Sequence, residues 1–525
     1  MQYKDKISVS TAWIYAYFAV VFFFFLSHGL MLALYGAWWD DMLIWDPSLE
    51  AYEKFAGSDN FNNPFLYILH KSILQITSLE TRNFVFRLIS FFCWFVSLTC
   101  FFLFLKKITN NINYTFYSSL LAASCGLNKC MALICCFHYT ISISLFMMGL
   151  VLFVEDYYKE RKLYLLVVSL LWTLSLLIWR TAVLAIPVVL VVAVISRMDV
   201  KIARREFYLN FLKNLFTKYY MIIIGLCIFA VLYKTILAPH GSYAAYYSVG
   251  VKNVILSPIT TMSCCFSLIL GYLSNLLNVY SQSGTVTLVS GLSILLACLW
   301  FRCSDEKDVG SLDKSVLWLS CLFLFFSMMP HLLREIVYLF DINGYKSRVT
   351  ALAVFPLCMI YGVILTDMKN VKVRLSVLCI LVVSSVYYSI NIYSDYARGW
   401  LKNEAIAGYF SSHNELKGKK IVCIDNAQIY SPFQSEHYRY YDFEGCAKLA
   451  YGNDDNTKCD GWNTFNTIYR RFDDADYYLC IDKKEQHSYR GISLIYESFN
   501  KQKRNSMSKT MLTFRQIEKD ECIAK

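Results

Sequence analysis

Long apolar runs separated by short basic breaks make up most of the chain. The first run, residues 13–35, carries no charged side chain, and further runs of similar character recur as far as residue 390. About 18 apolar residues are enough for a helix to cross the hydrocarbon core of a bilayer. The pattern therefore predicts a polytopic α-helical membrane protein. Residues 13–35 are too long for the apolar core of a signal peptide and are interpreted as a retained first span.

The expected number of spans depends on residues 254–301, which carry no charge over 48 residues. This stretch could hold two spans, or one span at about 287–301 preceded by a re-entrant or interfacial segment. With one span, about eleven are expected, and the main basic breaks all fall on one side of the membrane. The positive-inside rule therefore favours this arrangement, with the N-terminus in the cytoplasm and the C-terminus outside it.

Near residue 391 the composition becomes polar, and no membrane-length run follows. Two short apolar runs, KKIVCIDN (419–426) and DYYLCIDK (476–483), are bounded by polar turns and predict buried strands. We expect residues 1–390 to form the transmembrane domain and residues 391–525 a small extracytoplasmic α/β or α+β domain. In that domain Cys446 and Cys459 could close a disulfide in an oxidising compartment or remain buried free thiols.

The charge balance supports a membrane protein. Only 17% of the residues are charged, compared with about a quarter in soluble domains, and the formal net charge is +11. Basic loops on the cytoplasmic side account for such an excess, so we expect a lipid bilayer and no nucleic acid as partner. The chain has no CxxC pair, and no metal site is predicted from the spacing of cysteine and histidine.

The acidic motif YGAWWDDMLIWDP (residues 35–47) directly follows the first span and opens a long external loop, residues 36–87. A carboxylate beside lipid is desolvated, which raises its pKa and its strength as a base. Asp40 or Asp41 could take a proton from a hydroxyl nucleophile, while the other orients it or holds a divalent cation. A plainer interpretation is an aromatic belt with a helix cap. Flat faces for stacking a sugar ring are offered by Trp38, Trp39 and Trp45.

This arrangement resembles the GT-C superfamily of integral-membrane glycosyltransferases. It is more narrowly similar to the bacterial O-antigen-modifying transferases of the Gtr type. WWDD (residues 38–41) stands where members place their acidic motif, and residues 391–525 correspond to a terminal soluble domain. The resemblance implies inverting transfer of a sugar, which is glucose in the Gtr type, from undecaprenyl phosphate to a periplasmic glycan such as the O-antigen of lipopolysaccharide. It also implies the bacterial inner membrane and a periplasmic C-terminal domain.

A lipid-linked phosphate at the external interface requires cations, and arginine suits phosphate well. Arg180 is a lone charge in an apolar run, at the end of the fifth predicted span. The other three candidates lie in the external loop before the tenth predicted span. Each could instead be an interfacial anchor or, for Arg334, pair with Glu335. His240, in another external loop, could contact the sugar or simply be solvated. The phosphate candidates are Arg348, Arg180, Lys346 and Arg334.

Two other functions fit this architecture. An O-antigen polymerase would share the number of spans and the aromatic content, but its large loops typically lie between spans and are basic. A flippase or transporter for lipid-linked sugars would often show inverted repeats and charges at the bilayer midplane. Here the large polar segment is terminal, the first external loop is acidic, and no repeat is visible. Transfer is therefore the favoured prediction.

Overall fold

A computed structural model describes most of the chain, and helices dominate it. The described residues are 2–34, 36–38, 41, 64–76, 79–127, 129–159, 162–196, 204–238, 249–278, 314–333, 350–432, 438–452, 455–462, 474–484 and 492–518. The helices of the larger, apolar part are α1 (Gln2–His28), α2 (Pro64–Ile76), α3 (Leu79–Thr109), α4 (Ile112–Ser124), α5 (Phe137–Lys159), α6 (Lys162–Ile178), α7 (Ala185–Ser196), α8 (Arg204–Lys218), α9 (Tyr220–Thr235), α10 (Val251–Asn278), α11 (Lys314–Leu332), α12 (Val354–Asp367) and α13 (Val371–Ser412).

Within these ranges, six helices are long and apolar enough to cross a membrane. A seventh span is obtained if α8 and α9, which meet at a bend of 77°, are taken together. The coarse prediction of a polytopic helical membrane protein is thereby supported, while the expected number of about eleven spans stays a prediction. The six candidates are Thr11–Ala33, Thr81–Thr109, Ile134–Asp156, Val251–Leu276, Lys314–Leu332 and Val371–Ser412.

Breaks between helices occur where isolated polar residues interrupt the apolar runs. The stretch 114–154 divides as expected near residues 126–129, since α4 ends at Ser124 and α5 begins at Phe137. The run around Arg180 likewise divides into α6 and α7. In the ambiguous stretch, α10 is one helix of 28 residues. The span predicted at about 287–301 lies outside the described residues.

Helix α10 shows how the apolar part divides its surfaces. Its outward stripe is exposed and recurs at helical spacing, as expected for a face in contact with lipid. Its inner side is polar at one point, where the Tyr272 hydroxyl lies 2.5 Å from Ser385 Oγ on α13. The Tyr361 hydroxyl of α12 also donates to the Ile269 carbonyl at 3.0 Å. The exposed stripe consists of Val251, Ile255, Ile259, Met262, Phe266 and Leu270.

A four-stranded mixed sheet follows α13. The strands are β1 (Lys420–Asp425), β2 (Lys458–Trp462), β3 (Tyr477–Lys483) and β4 (Leu512–Ile517), in the order β2-β1-β3-β4. Only β3 and β4 run antiparallel. The accompanying helices are α14 (Tyr440–Tyr451), α15 (Ile492–Phe499) and α16 (Lys501–Met511). Both predicted strands are present, as β1 and β3, and they pair with each other.

The repeated Cys-Ile-Asp triplet has no structural equivalence between the two strands. Asp425 pairs with Ile481, so the triplets are offset by one residue. Alternate residues of a strand face opposite sides of the sheet. Cys423 therefore joins the large core, while Cys480 packs with Ile424 on the other face.

Cys446 and Cys459 are both buried and both free thiols in this structure. Of the two possibilities that the sequence leaves open, the structure contains the thiol form. Helix α13 runs without interruption through residue 391 and ends at Ser412, so the apolar helices and the sheet share one continuous element.

Candidate active site at the end of the first helix

After the first helix, the chain adopts a backbone conformation that favours glycine. After α1, a short 3-10 turn covers Gly29–Ala33, and the backbone then reaches Gly36 with a φ of +114°. Side chains other than glycine rarely adopt this conformation. A Cβ atom at Gly36 would also lie 2.1 Å from Cδ2 of Trp400 on α13. The start of the acidic motif is therefore pressed against the long helix.

Arg87, on α3, holds this segment through its carbonyl groups. The guanidinium is buried, and it donates from Nη1 to the Leu34 carbonyl at 2.6 Å and from Nη2 to the Gly36 carbonyl. Its Nε donates to the Ala132 carbonyl at 3.2 Å. All three acceptors belong to connecting segments rather than helices of the membrane bundle. Arg87 thus ties the exit from α1 to the connection between α4 and α5.

Trp38 is enclosed by protein rather than exposed to a ligand. Its side chain is only 1% exposed. The Arg87 guanidinium lies 4.7 Å from the centre of its ring, and the Tyr396 ring centre is 4.8 Å away. Its indole Nε1 is buried and has no hydrogen-bond partner among the described residues. In this conformation Trp38 packs the base of the site, and its predicted role in stacking a sugar stays a prediction.

Asp41 is a buried carboxylate that accepts hydrogen bonds from the backbone. Oδ1 accepts from the Cys135 N–H at 2.7 Å, and Oδ2 accepts from the Trp38 N–H at 3.4 Å. Reaching back three residues is what the acidic residue of a capping box does. Burial raises the pKa of Asp41 from 3.8 to about 6, although the backbone N–H groups of Cys135 and Ile134 and the charge of Arg87 act in the opposite direction. The carboxylate can therefore change its charge near neutral pH.

The C-terminal half of α13 couples the acidic motif to the sheet. Asn403 donates from Nδ2 to the Ala37 carbonyl at 3.1 Å and accepts from the Tyr438 hydroxyl at 2.6 Å. The adjacent Lys402 is fully buried and forms an ion pair with Asp425 of β1 at 2.5 Å. Tyr438 and Asp425 both belong to the polar C-terminal part of the chain, so that part helps to position the motif.

Of the residues predicted from sequence, the structure brings Asp41 and Trp38 together and places Arg180 elsewhere. The Arg180 guanidinium lies 4.1 Å from the ring centre of Tyr233 and donates to the Leu237 carbonyl at 3.0 Å. These contacts join the connection between α6 and α7 to the end of α9. The remaining candidates lie outside the described residues: Asp40, Trp39, Trp45, His240, Arg334, Lys346 and Arg348.

Sequence reasoning missed three residues that build this site. Arg87 looked like the end of an external loop, because the second span was expected to begin at the next residue. Helix α3 instead begins at Leu79, and so carries Arg87 inside it. Tyr396 and Asn403 lie on α13 beyond the expected domain boundary. A lone arginine at the edge of an apolar run was the only local signal for any of them.

No group of three or more histidine, cysteine, aspartate or glutamate side chains that could hold a metal ion occurs among the described residues. A divalent cation at the acidic motif would need a ligand from outside those ranges, such as Asp40. Comparison of the chain with known protein families finds no match, and comparison with curated proteins finds none either.

Proposed function

We propose that this protein is a membrane glycosyltransferase that moves a sugar from a polyprenyl-phosphate carrier to a glycan acceptor. The observation that carries the proposal is the buried, backbone-anchored Asp41 at the end of a membrane-length helix. An acidic group held near the end of a membrane span can serve a reaction between a lipid-linked donor and a hydroxyl acceptor. The resemblance to Gtr-type enzymes adds glucose as donor sugar, O-antigen as acceptor, and a bacterial inner membrane with a periplasmic C-terminal domain.

The hydrogen bonds of Asp41 favour a division of labour within the acidic pair. Both of its oxygens accept backbone N–H groups, so Asp41 is best suited to position the motif. The role of general base is then assigned to its neighbour Asp40. Asp40 takes the proton of the acceptor hydroxyl as that oxygen attacks the anomeric carbon. The bond between this carbon and the phosphate oxygen breaks, and the phosphate leaves with the electron pair, which inverts the anomeric centre.

The other sequence candidates complete the proposal. Trp39, Trp45 and His240 would contact the sugar. Arg348, with Lys346 and Arg334, would stabilise the charge on the leaving phosphate, since arginine binds phosphate oxygens well. Arg180 is the weakest of the phosphate candidates, because Tyr233 and Leu237 already engage its guanidinium.

The test is sugar transfer to envelope polysaccharide in cells that produce wild type, Asp40→Asn or Asp41→Asn at matched membrane levels. We expect Asp40→Asn to abolish transfer while leaving the melting temperature unchanged. Asp41→Asn should lower the melting temperature as well as transfer, because the amide NH2 group that replaces one carboxylate oxygen cannot accept an N–H group. Asp46→Asn, in the same motif, is the matched control and should retain transfer.

Full transfer by both Asp40→Asn and Asp41→Asn would show that the acidic pair is not catalytic. If the wild type transfers no sugar but its loss shortens the polysaccharide, a polymerase becomes the better assignment. If its loss instead leaves lipid-linked sugar trapped on the cytoplasmic face, a flippase is supported.

A further inference from the structure

Arg82 lies at the external start of α3 with most of its hydrogen-bonding capacity unused. Its side chain is only 6% exposed. One nitrogen, Nη2, donates to the Leu74 carbonyl at the end of α2 at 3.3 Å. The other two, Nε and Nη1, are buried and have no hydrogen-bond partner in the part of the chain that the structure describes. Arg82 is thus a buried cation with free donors.

Two other buried guanidinium groups, those of Arg87 and Arg504, are better satisfied. Arg87 donates from all three of its nitrogens to backbone carbonyls. Arg504 donates to Glu404 Oε1 at 2.7 Å and to the Ser498 carbonyl at 2.9 Å. In Arg374 only Nε is buried without a partner, and its guanidinium lies against the Tyr117 ring. A buried charge without compensation is strongly destabilising. We therefore expect the unused donors of Arg82 to bind an acceptor group of a ligand.

A second observation points to a polar ligand at the same place. The next residue, Asn83, is also buried, and its amide oxygen Oδ1 has no donor among the described residues. An unpaired donor group and an unpaired acceptor group are therefore carried by consecutive residues in the first turns of α3. A phosphate offers oxygens to the former, and a sugar hydroxyl offers a proton to the latter.

The position of Arg82 suits a lipid-linked phosphate. It is the second residue of the candidate span Thr81–Thr109, and the ends of a membrane span are expected to lie near the lipid headgroups. It precedes Arg87 by five residues, or about 7.5 Å along the helix axis. Arg87 contacts the Gly36 carbonyl at the start of the acidic motif. A phosphate bound at Arg82 would therefore lie about 1.4 helical turns along α3 from the residue that holds the motif.

We propose that Arg82 binds the phosphate of a polyisoprenyl-phosphate lipid, with the Asn83 amide oxygen accepting a hydroxyl of the attached sugar. The identity of this lipid as a sugar donor rests on the proposed transferase function. The phosphate chemistry is shared with ordinary phospholipid headgroups and with free phosphate, so the experiment separates these sources.

The test measures binding by the full-length protein in phosphatidylcholine nanodiscs, with native mass spectrometry as the readout. The probes are undecaprenyl phosphate, phosphatidic acid and inorganic phosphate, each titrated separately. We expect undecaprenyl phosphate to bind, and Arg82→Gln to raise its Kd by roughly tenfold or more through loss of charge-assisted hydrogen bonds. Arg82→Lys keeps the charge, and its Kd should lie between those of the wild type and Arg82→Gln. Arg374→Gln, a buried arginine at the other end of the bundle, should match wild type.

An unchanged Kd in Arg82→Gln would overturn the proposal, as would equal binding of phosphatidic acid by the wild type. If Arg82→Gln does not fold, the folded Arg82→Lys variant is used instead. The proposal is then overturned if this variant binds undecaprenyl phosphate with wild-type affinity and undecaprenyl phosphate does not raise the melting temperature of the wild type. Binding needs no turnover, so this result is independent of the transfer assay. Arg82-dependent binding without any transfer would support the site and refute the transferase, and transfer without Arg82-dependent binding would do the reverse.

Discussion

Replacing Lys402 by methionine should destabilise the junction between α13 and the sheet by about 3–5 kcal/mol. The Lys402 ammonium is fully buried and contacts Asp425 at 2.5 Å, Ser431 Oγ at 3.0 Å and the Ala427 carbonyl at 3.2 Å. It also lies 4.0 Å from the ring centre of Tyr438. Methionine keeps the volume of the stem but leaves the Asp425 carboxylate buried without its cation, and that uncompensated charge is the main cost.

A double variant separates the cost of the broken pair from the value of the intact one. In Lys402→Met/Asp425→Leu both charges are gone, and replacing a buried ion pair by apolar groups is often nearly neutral. We therefore expect the double variant to recover most of the free energy of unfolding that Lys402→Met loses. The exposed Lys417→Met is the matched control and should change the free energy of unfolding by less than about 0.5 kcal/mol.

Urea-dependent pulse proteolysis of the detergent-solubilised protein gives the free energy of unfolding of the C-terminal region for each variant. If Lys402→Met costs less than about 1 kcal/mol, or if the double variant is as unstable as the single one, the ion pair does not stabilise the junction.

Three further predictions concern the segment around the acidic motif. The pKa of Asp41 is about 6 in the folded protein and 3.8 as an ordinary value, so its stabilising contribution is complete below about pH 3.8 and lost as the pH rises through about 6. Asp41→Asn should remove that step, worth about 3 kcal/mol, from the pH dependence of the melting temperature, and an unchanged profile would contradict the assignment. Gly36→Ala should lower sugar transfer at least roughly tenfold at matched membrane levels, because of its positive φ and the 2.1 Å approach to Trp400. Gly408→Ala, with open space around the added carbon, is the control and should leave transfer intact. Arg87→Lys should lose about 2–3 kcal/mol of stability, measured as a lower melting temperature of the detergent-solubilised protein, since one ammonium cannot replace three directed N–H donors, and a loss below about 0.5 kcal/mol would show that those bonds are dispensable.

Hydropathy and local pattern were sufficient for the presence of apolar helices and for strands β1 and β3, but not for β2, β4 or the start of α3 at Leu79. An apolar run of membrane length has few alternatives to a helix, because the backbone must satisfy its own hydrogen bonds away from water. The breaks near residues 126–129 and at Arg180 were likewise visible as isolated polar residues. The strands β1 and β3 could be found because short apolar runs between polar turns are a local signal. The acidic pair was conspicuous because carboxylates beside lipid are costly.

The sequence by itself therefore determined that the chain forms apolar helices followed by a small sheet, and that Asp40 and Asp41 stand where the first helix gives way to a loop. Only the tertiary structure decided that Asp41 is buried and accepts a hydrogen bond from the Cys135 N–H, and that the Arg87 guanidinium binds the carbonyls of Leu34, Gly36 and Ala132. The physical reason is that burial and hydrogen-bond partners depend on segments far apart in the chain, whereas hydropathy and periodicity report only on neighbours along it.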